Sequence, residues 1–194
     1  MSYVSFVISV IKDFKTKHSM ENVQLEKQAK LSEHFTLGEM TKTSTGMMNI
    51  PSRVSIENMK RVCGWLEALR ARYNLRYVSP SSDHPAHPGT PPNLGGEKDT
   101  EEPIIISSGY RSPEVNRKVG GSATSNHLTG CAVDIRVYGI EQALRYAVIL
   151  MDYADETRQD YDELLIERNK GGRYWVHFAV RPMDNRRKTR FIDC

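Results

Sequence analysis

The sequence predicts an α+β fold in which helices pack on a small, mostly antiparallel sheet. Apolar residues recur at spacings of three and four across 53–73, which is typical of an amphipathic helix. Polar and apolar residues alternate across 131–138, which predicts a strand. Two more strands are predicted at 162–168 and 173–180, joined by a glycine-containing connection short enough for a hairpin, and a shorter one at 104–107. Helices mixed with a few short strands favour this fold class.

The helix boundaries have their own signals. Ser52 or Ser55 is the expected N-cap of the 53–73 helix, because a serine oxygen can accept from the first backbone N–H groups. Ser112 followed by Pro113 predicts the start of a short second helix, which two glycines end. A longer helix is expected over 140–156.

We predict one domain with a terminal extension at each end and an inserted loop. Residues 1–30 form an N-terminal extension, 31–181 the domain, and 182–194 a basic, solvated tail. A Pro/Gly-rich stretch, 79–102, interrupts the domain as a long loop. Its two histidines are flanked by prolines and are not expected to bind metal, since a site needs a preorganised scaffold.

Composition sets broad limits on function. The 194 residues carry a net charge of +3, which suits contact with an anionic polymer but equally an ordinary solvated surface. Three cysteines without a CxxC spacing predict no disulfide framework and a reducing compartment. The apolar run at 3–11 is too short to span a bilayer and lacks the flanks of a signal peptide.

Three residues form the candidate metal site. His127 lies in a loop, and Asp134 lies in the strand that follows it, where a carboxylate is poorly tolerated without a partner. His177 is in the middle of a later strand. Two imidazoles and one carboxylate would leave a tetrahedral zinc ion with one open position. Each residue alone also fits an ordinary structural role, so their spacing does not decide between a metal site and such roles.

The surrounding motif is more specific. The run S-x-H-x-x-G-x-A-x-D at 125–134, preceded by the Gly-Tyr-Arg turn at 109–111, resembles the zinc site of the D-alanyl-D-alanine carboxypeptidase and L-alanyl-D-glutamate endopeptidase family. These peptidoglycan peptidases include many phage endolysins, and they share their fold with the Hedgehog signalling domain. The resemblance implies a zinc peptidase fold with His127, Asp134 and His177 as the zinc ligands.

The resemblance also implies roles for neighbouring residues. Arg111 would hold a substrate carboxylate by a bidentate fork, or would instead make a surface ion pair. Ser125 would bind substrate or orient His127, or would only form the turn. Trp175 alternates with His177 and shares its face, where it would line the substrate cleft or join the core.

A general base is also needed, and its position departs from one common family pattern. Several members carry a glutamate three residues before the last histidine, where this chain has Tyr174. The most similar branch places the glutamate at the end of the preceding strand, so we expect Glu167 to be the base. Glu163 is the fallback, about 13 Å away along the strand. Otherwise Glu167 would pair with Arg168 or Arg173 at the rim.

Together these features predict a zinc metallopeptidase that hydrolyses peptide bonds next to D-amino acids in peptidoglycan stem peptides, as a D-Ala-D-Ala carboxypeptidase or an endolysin-type endopeptidase. The alternative is a catalytically inactive, zinc-binding Hedgehog-like module with a structural or cell-wall-binding role. Nucleic-acid binding is not expected, because the basic stretches 168–175 and 184–190 are scattered. We expect a monomer without stable membrane insertion, which as a phage lysin would stay cytoplasmic until released to the wall.

Overall fold

A computed structural model describes residues 27–78 and 101–194. It confirms the predicted α+β class with a mostly antiparallel sheet. The N-terminal extension up to residue 26 and most of the Pro/Gly-rich loop, including His84 and His87, lie outside the described residues. The three cysteines all lie inside them and form no disulfide.

The described elements follow the predicted order closely. In chain order they are α1 (Leu37–Met40), α2 (Arg53–Tyr73), a π-helical turn (Asn74–Val78), β1 (Ile106–Ser108), α3 (Pro113–Lys118), a 3₁₀ helix (Asn126–Thr129), β2 (Ala132–Arg136), α4 (Ile140–Thr157), β3 (Glu163–Arg168), β4 (Tyr174–Ala179) and β5 (Lys188–Asp193). Among these described helices, none is long and apolar enough to cross a membrane.

The strands of the described residues form one sheet in the order β1-β2-β4-β3-β5. The predicted hairpin is confirmed, because β3 and β4 pair antiparallel with Leu165 opposite His177. Strand β5 pairs parallel with the other edge of β3.

The predicted helix starts are also confirmed. Ser52 is the residue that caps α2, since its side-chain oxygen accepts from the backbone N–H of Ser55 at 3.1 Å. Ser112 caps α3 in the same way by accepting from Val115, and Pro113 occupies the first helical position. The face of α2 with three-and-four spacing is fully buried, as Met59, Val62, Cys63, Leu66 and Leu69 show.

The chain divides into two compact units, and the three boundaries at 63/64, 107/108 and 133/134 fall inside continuous elements, α2, β1 and β2. In the first unit, Asn49 is a central connection. Its side-chain amide donates to the carbonyl oxygens of Thr41 and Tyr110, both at 2.8 Å, while its Oδ1 accepts from the Ser112 backbone at 2.7 Å. One polar side chain thereby satisfies three backbone groups of the segments around it.

The second unit is organised around an aromatic cluster. Trp65 of α2 lies 4.9 Å from Tyr153 and 5.3 Å from Phe178, measured between ring centroids, and Tyr161 is 6.4 Å away. The Tyr153 and Tyr161 contacts are edge-to-face, which is a favourable geometry for aromatic pairs. The cluster attaches α2 to α4 and to β4 within this unit.

The C-terminal tail differs from its prediction. We expected a solvated extension over 182–194, but Lys188–Asp193 forms β5 and pairs with all of β3. The backbone of Cys194 continues the pairing by donating to the Arg168 carbonyl at 2.8 Å. Periodicity did not predict this strand, since its side chains are largely exposed and its order comes from main-chain pairing.

A buried carboxylate anchors the segment that leads into β5. Asp162 has no exposed surface, and its two oxygens accept from Nε and a terminal nitrogen of Arg186 at 2.8 and 2.7 Å. Arg181 lies 3.1 Å from the same carboxylate. A buried charge needs such partners, because an unpaired one is strongly destabilising.

We expect Asp162→Asn to lower the free energy of unfolding by roughly 1.5–3 kcal/mol, because the variant loses the charge-assisted hydrogen bonds from Arg186 to a buried carboxylate. Urea denaturation measures this loss. The matched control is Asp160→Asn, which removes an exposed partner of Arg187 and should cost at most about 1 kcal/mol. Equal losses in the two variants would contradict the assignment of Asp162 as an anchor.

Candidate metal centre

The backbone around His127 presents its ring in a fixed orientation. The residue lies in the 3₁₀ helix Asn126–Thr129, whose N-cap Ser125 accepts from the His127 backbone N–H at 3.3 Å. Gly130 ends the helix with φ of 75°, a left-handed conformation that favours glycine. The histidine is buried, with 2% of its surface exposed. Ser125 therefore caps the turn that carries His127, which is the structural role expected for it.

A backbone carbonyl determines which nitrogen of His127 faces a metal. Nδ1 lies 2.7 Å from the carbonyl oxygen of Gly109. A carbonyl can only accept, so Nδ1 carries the proton and the neutral ring offers Nε2 as a ligand. Gly109 is required there, since a Cβ would lie 2.2 Å from the Met40 carbonyl oxygen. Sequence reasoning missed this partner, although the Gly-Tyr-Arg turn was its signal.

Asp134 and His177 form the second part of the site. Asp134 is 9% exposed in β2 and His177 is 8% exposed in β4. Nδ1 of His177 lies 2.9 Å from Oδ1 of Asp134. The expectation that a carboxylate in this strand needs a partner is met by this contact.

The electrostatics of His177 follow from its two carboxylate neighbours. Burial works against the charged ring, but the Asp134 and Glu163 carboxylates outweigh burial and raise the pKa of His177 to about 9. A cation is therefore strongly favoured between these acidic groups. A divalent metal ion would supply such a charge in place of the proton.

The three predicted ligands come together. His127, Asp134 and His177 each offer one ligand atom, and these atoms all lie within 4.8 Å of one another. Zinc bonds of about 2.0–2.1 Å at tetrahedral angles separate neighbouring ligand atoms by about 3.3 Å. All three residues are buried, and the donor set of two imidazoles and one carboxylate is one that catalytic zinc prefers. The cluster is compatible with a metal site.

Both candidate bases lie near His177 on the same face of the sheet. Leu165 pairs with His177, and Glu163 and Glu167 each lie two residues from Leu165, one in each direction. Alternation along a strand gives all three β3 residues one facing direction. Glu167 lies opposite Trp175, and its charge contributes to the raised pKa of His177. The register therefore leaves both glutamates as neighbours of the histidine.

Glu163 has a distinct set of partners. Its Oε2 is 3.6 Å from Nε2 of His177, and its Oε1 is 3.0 Å from Nζ of Lys188. A terminal nitrogen of Arg186 lies 3.1 Å from the same Oε1. The nearby His177 ring, together with Lys188, holds the pKa of Glu163 well below its usual range.

Two residues predicted to bind substrate, Arg111 and Trp175, lie next to predicted metal ligands. Nε of Arg111 donates to Oγ of Ser108 at 2.9 Å, and the Arg111 backbone donates to the His127 carbonyl at 3.0 Å.

Trp175 is half-buried on the face of β4 that carries His177, so it is not part of the fully buried core. Arg168, one expected rim partner of Glu167, pairs with Asp193 at 2.8 Å. The functional roles of Arg111, Ser125, Trp175 and Glu167 stay predictions.

One protein-family model matches part of the chain. The family model described as Peptidase M15 matches residues 96–162. The match supports a zinc metallopeptidase of this family, and it includes Arg111, His127 and Asp134. It ends before β3, so it covers neither His177, which joins the cluster, nor Glu167. No curated protein matches the chain.

We expect Gly130→Ala to destabilise the His127 turn more than Gly120→Ala. Both glycines have positive φ, which costs alanine about 1–2 kcal/mol. At Gly130 the added Cβ would also lie 2.5 Å from the Ser55 carbonyl oxygen, whereas at Gly120 nothing lies within 4 Å. The clash should add roughly 1–3 kcal/mol, measurable by urea denaturation. Equal losses would show that Ser55 moves away freely.

Proposed function

We propose that this protein is a zinc metallopeptidase that hydrolyses peptide bonds next to D-amino acids in peptidoglycan stem peptides. The observation that carries the proposal is the cluster of three buried ligand atoms within 4.8 Å, formed by His127, Asp134 and His177. The Peptidase M15 match over 96–162 supports the reaction class. The substrate is inferred from the motif that resembles peptidoglycan peptidases, and the protein would meet it as a monomer after release to the cell wall.

The ligand set leaves room for catalysis. Three protein ligands fill three of the four positions of a tetrahedral zinc site. Zinc bound there would polarise the scissile carbonyl and make a water more acidic. The Gly109 carbonyl accepts from Nδ1 of His127, which directs Nε2 to the metal, and Oδ1 of Asp134 lies beside Nδ1 of His177. These contacts preorganise the ligands before any metal arrives.

Glu167 is the better candidate for the general base. A base works best when its pKa lies near the working pH. Glu163 is already paired with Lys188 at 3.0 Å and with Arg186 at 3.1 Å, and two cations favour its ionised form and make it a weaker proton acceptor. Glu167 shares the His177 face of the sheet and lies opposite Trp175 in the hairpin. It would take a proton from the attacking water and pass it to the leaving amine.

Arg111 would recognise a substrate carboxylate. Its Nε donates to Ser108, which fixes the plane of the guanidinium, and its backbone bonds to the His127 carbonyl. A guanidinium held in one plane can bind a carboxylate through paired donors. If that carboxylate is the C-terminus of the stem peptide, the enzyme is a carboxypeptidase. If it lies within the stem, the enzyme is an endopeptidase.

We expect Glu167→Gln to lower hydrolysis of purified peptidoglycan by roughly 10²–10⁴-fold, because the variant loses the proton acceptor while keeping its shape. Mass spectrometry of released fragments measures cleavage and names the bond. The variant should still bind one zinc per chain by elemental analysis, whereas His127→Ala should lose the metal.

The controls for this experiment separate the candidate functions. Glu141→Gln, on the exposed side of α4, should cleave like the wild type. A wild type that binds zinc stoichiometrically but releases no fragments would favour the inactive, wall-binding module instead. Wild-type protein without zinc affinity would overturn the proposal.

We expect Arg111→Ala to raise KM by roughly 10- to 100-fold for a synthetic stem peptide with a free C-terminal carboxylate, since hydrogen bonds to charged groups contribute about 1.5–3 kcal/mol. For a carboxypeptidase, amidating that C-terminus should weaken the wild type to a similar extent and leave the variant unaffected. Arg117→Ala, a surface residue paired with Glu114, is the control. A KM that is unchanged for every peptide would exclude Arg111 from substrate binding.

A further inference from the structure

The carboxylate of Glu163 contacts a metal ligand on one side and two cations on the other. Oε2 lies 3.6 Å from Nε2 of His177. Oε1 lies 3.0 Å from Nζ of Lys188 and 3.1 Å from a terminal nitrogen of Arg186. The side chains of His177 and Glu163 are 10% and 15% exposed, so little solvent screens the contact.

The two nitrogens of His177 face different carboxylates. Nδ1 lies 2.9 Å from Asp134, the other acidic member of the metal cluster, and Nε2 faces Glu163. A carboxylate can only accept, so a proton on Nε2 satisfies Glu163 and leaves the lone pair of Nδ1 for a metal. The 3.6 Å separation is slightly longer than a hydrogen bond, and a shift of a few tenths of an ångström completes one.

Strand β5 and the residues just before it hold Glu163 in place. Lys188 is the first residue of β5 and pairs directly with Glu163 in the parallel register. Arg186 contacts Glu163 while its guanidinium is fixed by the fully buried Asp162 at 2.7 and 2.8 Å. Two cations with independent anchors thus fix the carboxylate that faces His177.

We propose that Glu163 is a positioning residue that orients His177 for metal binding, and that Lys188 and Arg186 support it from the C-terminal strand. The inference rests on the proposed zinc site and deepens it. Metal-binding histidines commonly donate their second ring N–H to a carboxylate, which fixes the tautomer and strengthens the ligand. This role differs from that of a general base, because Glu163 acts through His177 and not on the substrate.

The experiment compares zinc affinity in the full chain, measured by competition with a chromophoric chelator. Glu163→Ala should raise the zinc Kd by roughly 10- to 100-fold, the usual effect of losing such a partner. Glu163→Gln keeps the shape and a carbonyl acceptor, so its loss should be smaller. Lys188→Met should also weaken binding, whereas Arg190→Met, an exposed change on the same strand, should not.

NMR reports directly which nitrogen of the His177 ring carries the proton. Long-range ¹H–¹⁵N spectra of the zinc-loaded wild type should show His177 protonated at Nε2, with a proton resonance that moves upfield in Glu163→Gln. Urea denaturation of the metal-free variants checks that they fold. If Glu163→Ala does not fold, the isosteric Glu163→Gln tests the positioning role through its zinc Kd and its His177 proton resonance.

The outcomes distinguish this inference from the proposed function. If the wild type binds zinc and both Glu163 variants bind it equally well, the positioning role is wrong while the zinc site stands. A large loss of kcat with unchanged zinc affinity would also overturn it and make Glu163 the base. If the wild type binds no zinc, the proposed function fails together with the inference.

Discussion

A carboxylate buried in the middle of a strand is the constraint on which the rest of the structure depends. Asp134 has almost no access to water, so its charge must be balanced by groups that the fold delivers. His177 meets it at 2.9 Å from a strand 43 residues later. His127 reaches the same cluster through a short capped turn. The site therefore forms only if the capped turn places His127, and the sheet pairing places His177, beside Asp134.

The parts of the molecule that sequence predicted well are those with a local pattern. Helix α2 begins and ends where three-and-four spacing predicted, and its apolar face is buried from Met59 to Tyr73. The β3–β4 hairpin followed from two apolar stretches with a short glycine-containing connection. His127 and Asp134 were identified from one contiguous motif, and His177 from its place in a strand.

The parts that escaped prediction depend on distant or backbone groups. Strand β5 is polar and exposed, so it exists because β3 offers an edge and because Arg186 and Lys188 meet buried or half-buried carboxylates. The Gly109 carbonyl carries no side-chain signal, yet it fixes the tautomer of His127. Sequence spacing likewise did not show that Glu163, already weighed as a possible base, is fixed between a histidine and two cations.

The parallel pairing of β5 with β3 has a consequence for protein engineering. The last of the three predicted metal ligands, His177, lies in β4, so a graft that ends after the β3–β4 hairpin would keep all three. Such a graft, cut after the hairpin, would carry Asp162 without its guanidinium partner and Glu163 without its lysine. It would also uncover the hydrogen-bonding edge of β3, a template for aggregation. A transplantable unit has to extend through Asp193.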